Sequence, residues 1–78
     1  MKVDIITPDK TLFSGELDLV KVPGLDGYFE ILNYHAPLVS ILGSGELKLI
    51  DTHKKEQRIM IKGGVIEVNN NVVKILAE

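Results

Sequence analysis

His35 and His53 are the only histidines, and imidazole is both the commonest metal ligand and the side chain best placed to exchange protons near neutral pH. They lie in different polar stretches, with no second histidine four residues away and no carboxylate cluster nearby to complete a ligand set. The chain has no cysteine, so a thiolate metal site and a disulfide framework are both excluded. Ser14, Ser40 and Ser44 lack the Gly-x-Ser-x-Gly setting of a hydrolase nucleophile, and 43–45 (Gly-Ser-Gly) reads as a turn before a strand. There is no glycine-rich phosphate loop ending in Lys-Ser or Lys-Thr. Asp18, Asp26, Glu30, Glu46, Glu56 and Glu67 are scattered, with too few apolar neighbours to shift their pKa values into a working acid–base pair. We therefore expect no catalytic residue, no metal and no cofactor. What remains is contact chemistry. Asp26 and Glu30 share one loop and can meet a basic surface on a partner. His35, between Tyr34 and Ala36, can pin its own loop through a ring nitrogen. Glu67 lies among Val65, Ile66 and Val68, and strand alternation should turn it outward, because a buried carboxylate needs a paired donor.

These residues concentrate in the stretch 22–42, which holds two of the three prolines and both tyrosines. Pro23 lacks a backbone donor and Pro37 restricts Ala36, so regular pairing must break or reach an edge there. Gly24 and Gly27 can take positive φ and let the chain double back. Between the breaks, Tyr28 to Leu32 is strand-like, with aromatic and branched residues. The flanking chain supplies further strands. Val3 to Ile6 stops at a turn containing Pro8. The apolar phase slips by one near Val20, which suggests a bulge or a strand passing from one sheet to another. Alternation returns in Glu46 to Ile50 and Arg58 to Lys62, and two apolar runs, Val65 to Val68 and Val72 to Leu76, flank a predicted hairpin turn at Asn69, Asn70 and Asn71. Those two runs are apolar on both faces, so both faces should be covered, one of them by another protein. No segment carries a helical period of about 3.6 over ten or more residues free of glycine and proline. The pattern indicates an all-β fold, a small β-sandwich or flattened barrel of about eight to ten short strands, in one domain over 1–78.

Composition narrows the functional classes. Lysine and arginine number 9 against 11 acids, interspersed, which gives no basic stripe for nucleic acid. No apolar run approaches the roughly 18 residues of a membrane-spanning helix. A chain of 78 residues is stabilised by only about 4–12 kcal/mol, and help from a partner is in keeping with that size.

Four segments, in order, resemble one family. The string Gly-Leu-Asp-Gly-Tyr-Phe-Glu-Ile-Leu-Asn-Tyr-His-Ala-Pro-Leu over 24–38 is similar to the Gly-x-x-Gly-x-[Phe/Leu]-Gly-Ile-Leu-x-x-His-Ala-Pro loop of the epsilon subunit of rotary F-type ATP synthases. Gly63-Gly64-Val65-Ile66-Glu67-Val68 and the closing Ile75-Leu76-Ala77-Glu78 resemble that family's ending, and Val3, Ile5, Thr7, Pro8 and 13–16 fit its first strands. The resemblance implies a sandwich in the central stalk, a rotor element with no catalysis or cofactor of its own. It would couple the gamma subunit to the membrane c ring so that proton-driven rotation yields ATP. It also implies a peripheral location on the cytoplasmic face of a bacterial inner membrane. Carried onto this chain, the partner interface comprises Asp26, Gly27, Tyr28, Phe29, Glu30, Ile31, Leu32, His35, Ala36, Pro37 and Ser40. Glu30 stands where the family has glycine, and Tyr28 where an acidic or polar residue is common, so the acidic contact to the ring is expected to have moved to Glu30 or Asp26. The family's C-terminal helical hairpin is not expected within this chain, whose last strand ends at Glu78, as a natural short form or a shortened one. The other reading open at this point is an unrelated sandwich that binds a ligand or carries a prosthetic arm. A carrier needs a lysine at a hairpin tip, where this sequence has asparagine.

Overall fold

Alternating apolar and polar side chains favour strands, and the computed structural model, which describes residues 1–78, contains strands and no helix. In chain order they are β1 (Lys2–Ile6), β2 (Thr11–Glu16), β3 (Leu19–Gly24), β4 (Gly27–Leu32), β5 (Leu38–Leu42), β6 (Gly45–Ile50), β7 (Glu56–Ile61), β8 (Gly64–Asn69) and β9 (Val72–Ala77). Hydrogen bonds link them in the order β2-β1-β9-β8-β5-β3-β6-β7, and β4 pairs with β3. β1 and β9 run parallel, whereas hairpins make their neighbours antiparallel. β5 joins β3 through the single pair Gly24 and Leu42, and there the sheet folds over into two layers. One layer is β2-β1-β9-β8-β5, and the other is β4-β3-β6-β7. Val3, Ile5, Ile66, Val68, Val73 and Ile75 from the first pack against Val20, Val22, Ile31, Leu47, Leu49 and Ile61 from the second. Each such burial stabilises by about 1.5–3 kcal/mol, and the expected sandwich of eight to ten strands is present as nine.

The phase slip near Val20 is a corner between strands. Leu17 and Asp18 lie outside β2 and β3; Leu17 N donates to Met1 O at 3.0 Å and Asp18 N to Ile50 O at 2.8 Å. The chain thus leaves β1 in one layer and joins β6 in the other, and buried Leu17 plugs the corner. The Met1 ammonium closes this corner by donating to Leu17 O at 3.0 Å and Asn33 Oδ1 at 2.5 Å.

The central stretch is less of a loop than its prolines and glycines suggest. β3 and β4 form a hairpin with only Leu25 and Asp26 between the paired Gly24 and Gly27. Gly27 takes the positive φ, 126°, but Gly24 does not. Gly24 is needed for space instead: a Cβ there would lie 2.8 Å from both Gly27 O and the Phe29 ring. At the other predicted hairpin, Asn70 and Asn71 supply the two left-handed residues, at φ 50° and 60°, of a two-residue turn between β8 and β9.

Candidate functional site

β4 carries the middle of the expected interface, and its period of two sorts those residues. Phe29 and Ile31 face inward, while Tyr28, Glu30 and Leu32 face out. Ile31 is fully buried in the core, so its side chain offers nothing to a partner; the expectation that it belongs to the interface is corrected by strand alternation. Phe29 is half-buried against the same core. Glu30 stands opposite Lys21 in the β3–β4 register, and Lys21 Nζ lies 5.5 Å from the centre of the Tyr28 ring. Tyr28 also reaches β6, where its Oη accepts a hydrogen bond from Glu46 N at 3.0 Å. The exposed Asp26 tops the hairpin. A groove of about 620 Å³ separates that hairpin from β5, with Leu25, Tyr28, Val39, Ser40 and Ile41 among its walls.

The second half of the expected interface lies at the other end of β4, roughly 17 Å away along the strand. There Leu32 O accepts from His35 N at 3.2 Å, closing a turn through Asn33 and Tyr34. His35 Nδ1 donates to Ala36 O at 2.7 Å, the pinning role foreseen for it, and Ala36 and Pro37 are exposed. Asn33 Nδ2 donates to Asp18 Oδ1 at 3.3 Å, and Tyr34 N donates to Asn71 Oδ1 at 2.7 Å. Residues of one short stretch thus lie at opposite ends of β4.

A third feature is visible only through strand register. On the outer face of the first layer Ile6 pairs with Leu76, Leu76 with Val65, and Val65 with Ile41. All four are exposed, forming one apolar row across β1, β9, β8 and β5, with a groove of about 660 Å³ beside it. The apolar runs of β8 and β9 are therefore covered by the core on one face only. Glu67 faces outward beside the row, opposite Lys74. The individual hydrophobic residues were visible in the sequence, but their alignment depends on a parallel pairing between residues about 70 positions apart.

The outer face of the second layer is charged. Arg58 donates to Glu56 Oε2 at 2.6 Å and to Glu46 Oε1 at 2.9 Å, and Lys48 lies 3.7 Å from Glu56. The hydrogen bond from Arg58 holds the Glu56 carboxyl below its ordinary value, and the two carboxylates raise Arg58. In the 51–55 turn, the Lys55 backbone amide lowers Asp51 most, followed by that of His53. No three histidines, aspartates and glutamates come together as a metal-holding group. The outer surface thus offers one exposed apolar row and exposed side chains at both ends of β4.

The profile of one protein family, "ATP synthase, Delta/Epsilon chain, beta-sandwich domain", matches residues 1–78. Among curated relatives, the ATP synthase epsilon chain of Chlorobium limicola is 47% identical over 77 residues, which cover 99% of this chain and 88% of that protein. The ATP synthase epsilon chain of Leptospira borgpetersenii is 46% identical over 78 residues, all of this chain but 61% of its relative. Among solved structures, a chain of the Euglena gracilis mitochondrial ATP synthase (OSCP/F1/c-ring) superposes with a TM-score of 0.90 at 23% identity, covering 96% of this chain and 48% of that one. A chain from the central stalk and c ring of the Tetrahymena thermophila enzyme gives 0.82 at 18% identity, covering 97% and 61%. These two likenesses establish a shared fold.

Proposed function

This chain belongs to the delta/epsilon family of ATP synthases, and from that membership we propose that it is a rotor subunit of the central stalk. In this reading it joins the gamma subunit to the membrane c ring, so that proton-driven rotation reaches the ATP-forming subunits without slip. The observation that carries the proposal is the separation of contact surfaces on one stiff body. Asp26 and Tyr28 lie at one end of β4, His35 to Pro37 at the other, and the apolar row covers an outer face. A domain so arranged can touch two neighbours at once. Its packed core resists shear, because close-packed interiors compress little. The chain performs no bond chemistry of its own in this reading, and the complex supplies the catalysis.

The hairpin end with Asp26, and Glu30 farther along the outward face of β4, are assigned to the c-ring loops, and the apolar row and the His35 turn to the shaft. No helix is long and apolar enough to cross a membrane, and the proposed location is peripheral, on the cytoplasmic face, held through the complex. Titrating the full chain with purified gamma subunit tests the proposal; failure to bind at micromolar concentration refutes it. Glu30→Lys tests the ring contact. Glu30 is exposed, so the variant should fold and bind gamma normally while proton-coupled ATP synthesis falls. Full coupling in a normally assembled complex would remove Glu30 from that role.

A further inference from the structure

Tyr34 has φ 63°, in the left-handed region that glycine and asparagine enter readily and a tyrosine does not. It is the third residue of the turn closed by His35 N and Leu32 O, where positive φ makes glycine the usual choice. Packing does not force the conformation, since Tyr34 is 84% exposed. A hydrogen bond reaches it from elsewhere in the chain. Tyr34 N donates to Asn71 Oδ1 at 2.7 Å, across 37 positions of sequence. Asn71 is itself fixed as the second turn residue between β8 and β9, with φ 60°, and its carbonyl accepts from Lys2 N at 3.2 Å. Its side chain is therefore presented by an anchored backbone.

We propose that Asn71 is a positioning residue for the partner contact. It holds Tyr34 in the left-handed conformation and so aims the tyrosine ring, and the His35, Ala36 and Pro37 that follow, at the neighbouring shaft protein. Backbone strain of this kind gathers at functional sites, and an exposed, pre-ordered tyrosine makes a contact anchor at small entropic cost. A glycine at 34 would relieve the strain and remove the anchor. The proposal rests on the assignment of this turn to the shaft.

The experiment uses full-chain variants and two readouts: amide hydrogen exchange at Tyr34, followed by NMR, and affinity for the gamma subunit. Asn71→Gly keeps the turn's left-handed backbone and deletes the acceptor. It should speed exchange at Tyr34 about tenfold and weaken gamma binding by a similar factor, with core amides unchanged. Asn71→Asp restores an acceptor on a residue that tolerates the same φ, and should return both readouts to near the wild-type values. In a Tyr34→Gly background, adding Asn71→Gly should cost little further affinity, because glycine takes positive φ without being held. Unchanged exchange at Tyr34 in Asn71→Gly overturns the positioning role, whatever happens to binding. Faster exchange with undiminished gamma affinity overturns the contact role. Faster exchange in a chain whose wild type ignores gamma refutes the shaft assignment and leaves the hold on Tyr34 standing.

Discussion

Replacing Ile41 and Leu76 together by threonine separates docking from folding. Both sit in the exposed row Ile6–Leu76–Val65–Ile41, and 61% of Ile41 and 55% of Leu76 remain accessible. Burying a whole aliphatic side chain of this size is worth about 1.5–3 kcal/mol, so covering the accessible part of each yields about 1–1.5 kcal/mol. The two residues are two strands apart, roughly 10 Å, so their losses should add to about 2–3 kcal/mol, or roughly 30- to 150-fold in Kd. Threonine keeps the β-branch of Ile41, adds one at Leu76 and favours strands at both, and surface changes of this sort move stability by only about 0.5 kcal/mol either way. Calorimetric titration against gamma should show that weakening together with a less negative heat-capacity change, while the Tm of the free chain shifts by a few degrees at most. A Kd within about threefold of wild type at unchanged Tm would show that the row stays in water in the complex, and the use of exposed area would be refuted. A lower Tm with unfolding at assay temperature would instead mean that the row supports the fold.

Gly64→Ala should be the opposite kind of change, damaging the fold and not the contact. A Cβ at Gly64 would collide with Leu76 O and lie 3.1 Å from Ala77 Cα, both backbone atoms of the paired strand β9. Relief requires moving the strands apart, and a loss of about 2 kcal/mol or more is expected in urea unfolding; a loss below about 0.5 kcal/mol would contradict it. At the charged face, Glu56 should titrate below its ordinary value of 4.5 because Arg58 hydrogen-bonds its carboxylate form. A lowered folded value means that the stabilisation is complete above the unfolded value and is lost as pH falls through the lowered one. Both groups lie in solvent, so the effect on Tm is small and the NMR titration is the sensitive readout. Arg58→Gln should bring the midpoint back toward the ordinary value, and an unmoved midpoint would reject Arg58 as the cause.

The strands themselves were legible in the sequence because alternation is local. Arg58 to Lys62 and Glu46 to Ile50 each declare an inner and an outer face without reference to any other part of the chain. The asparagine turn was equally legible, since left-handed φ is a property of the residue. Family resemblance over 24–38 singled out the stretch proposed for partner contact, and one local rule, alternation in β4, is enough to turn the Ile31 side chain into the core.

Tertiary pairing decided the rest. It put Asp26 and His35, nine positions apart in sequence, at opposite ends of β4. It turned the slip before Val20 into the corner where the chain changes layers, gave Gly24 a steric duty in place of a conformational one, and assembled Ile6, Leu76, Val65 and Ile41 into one row. It also carried Asn71 to the amide of Tyr34. The physical reason is common to all of these. A strand's own residues set which face each side chain takes, but the hydrogen bonds that choose its neighbour and register are made to distant chain, and a shift of one residue there would turn every face over.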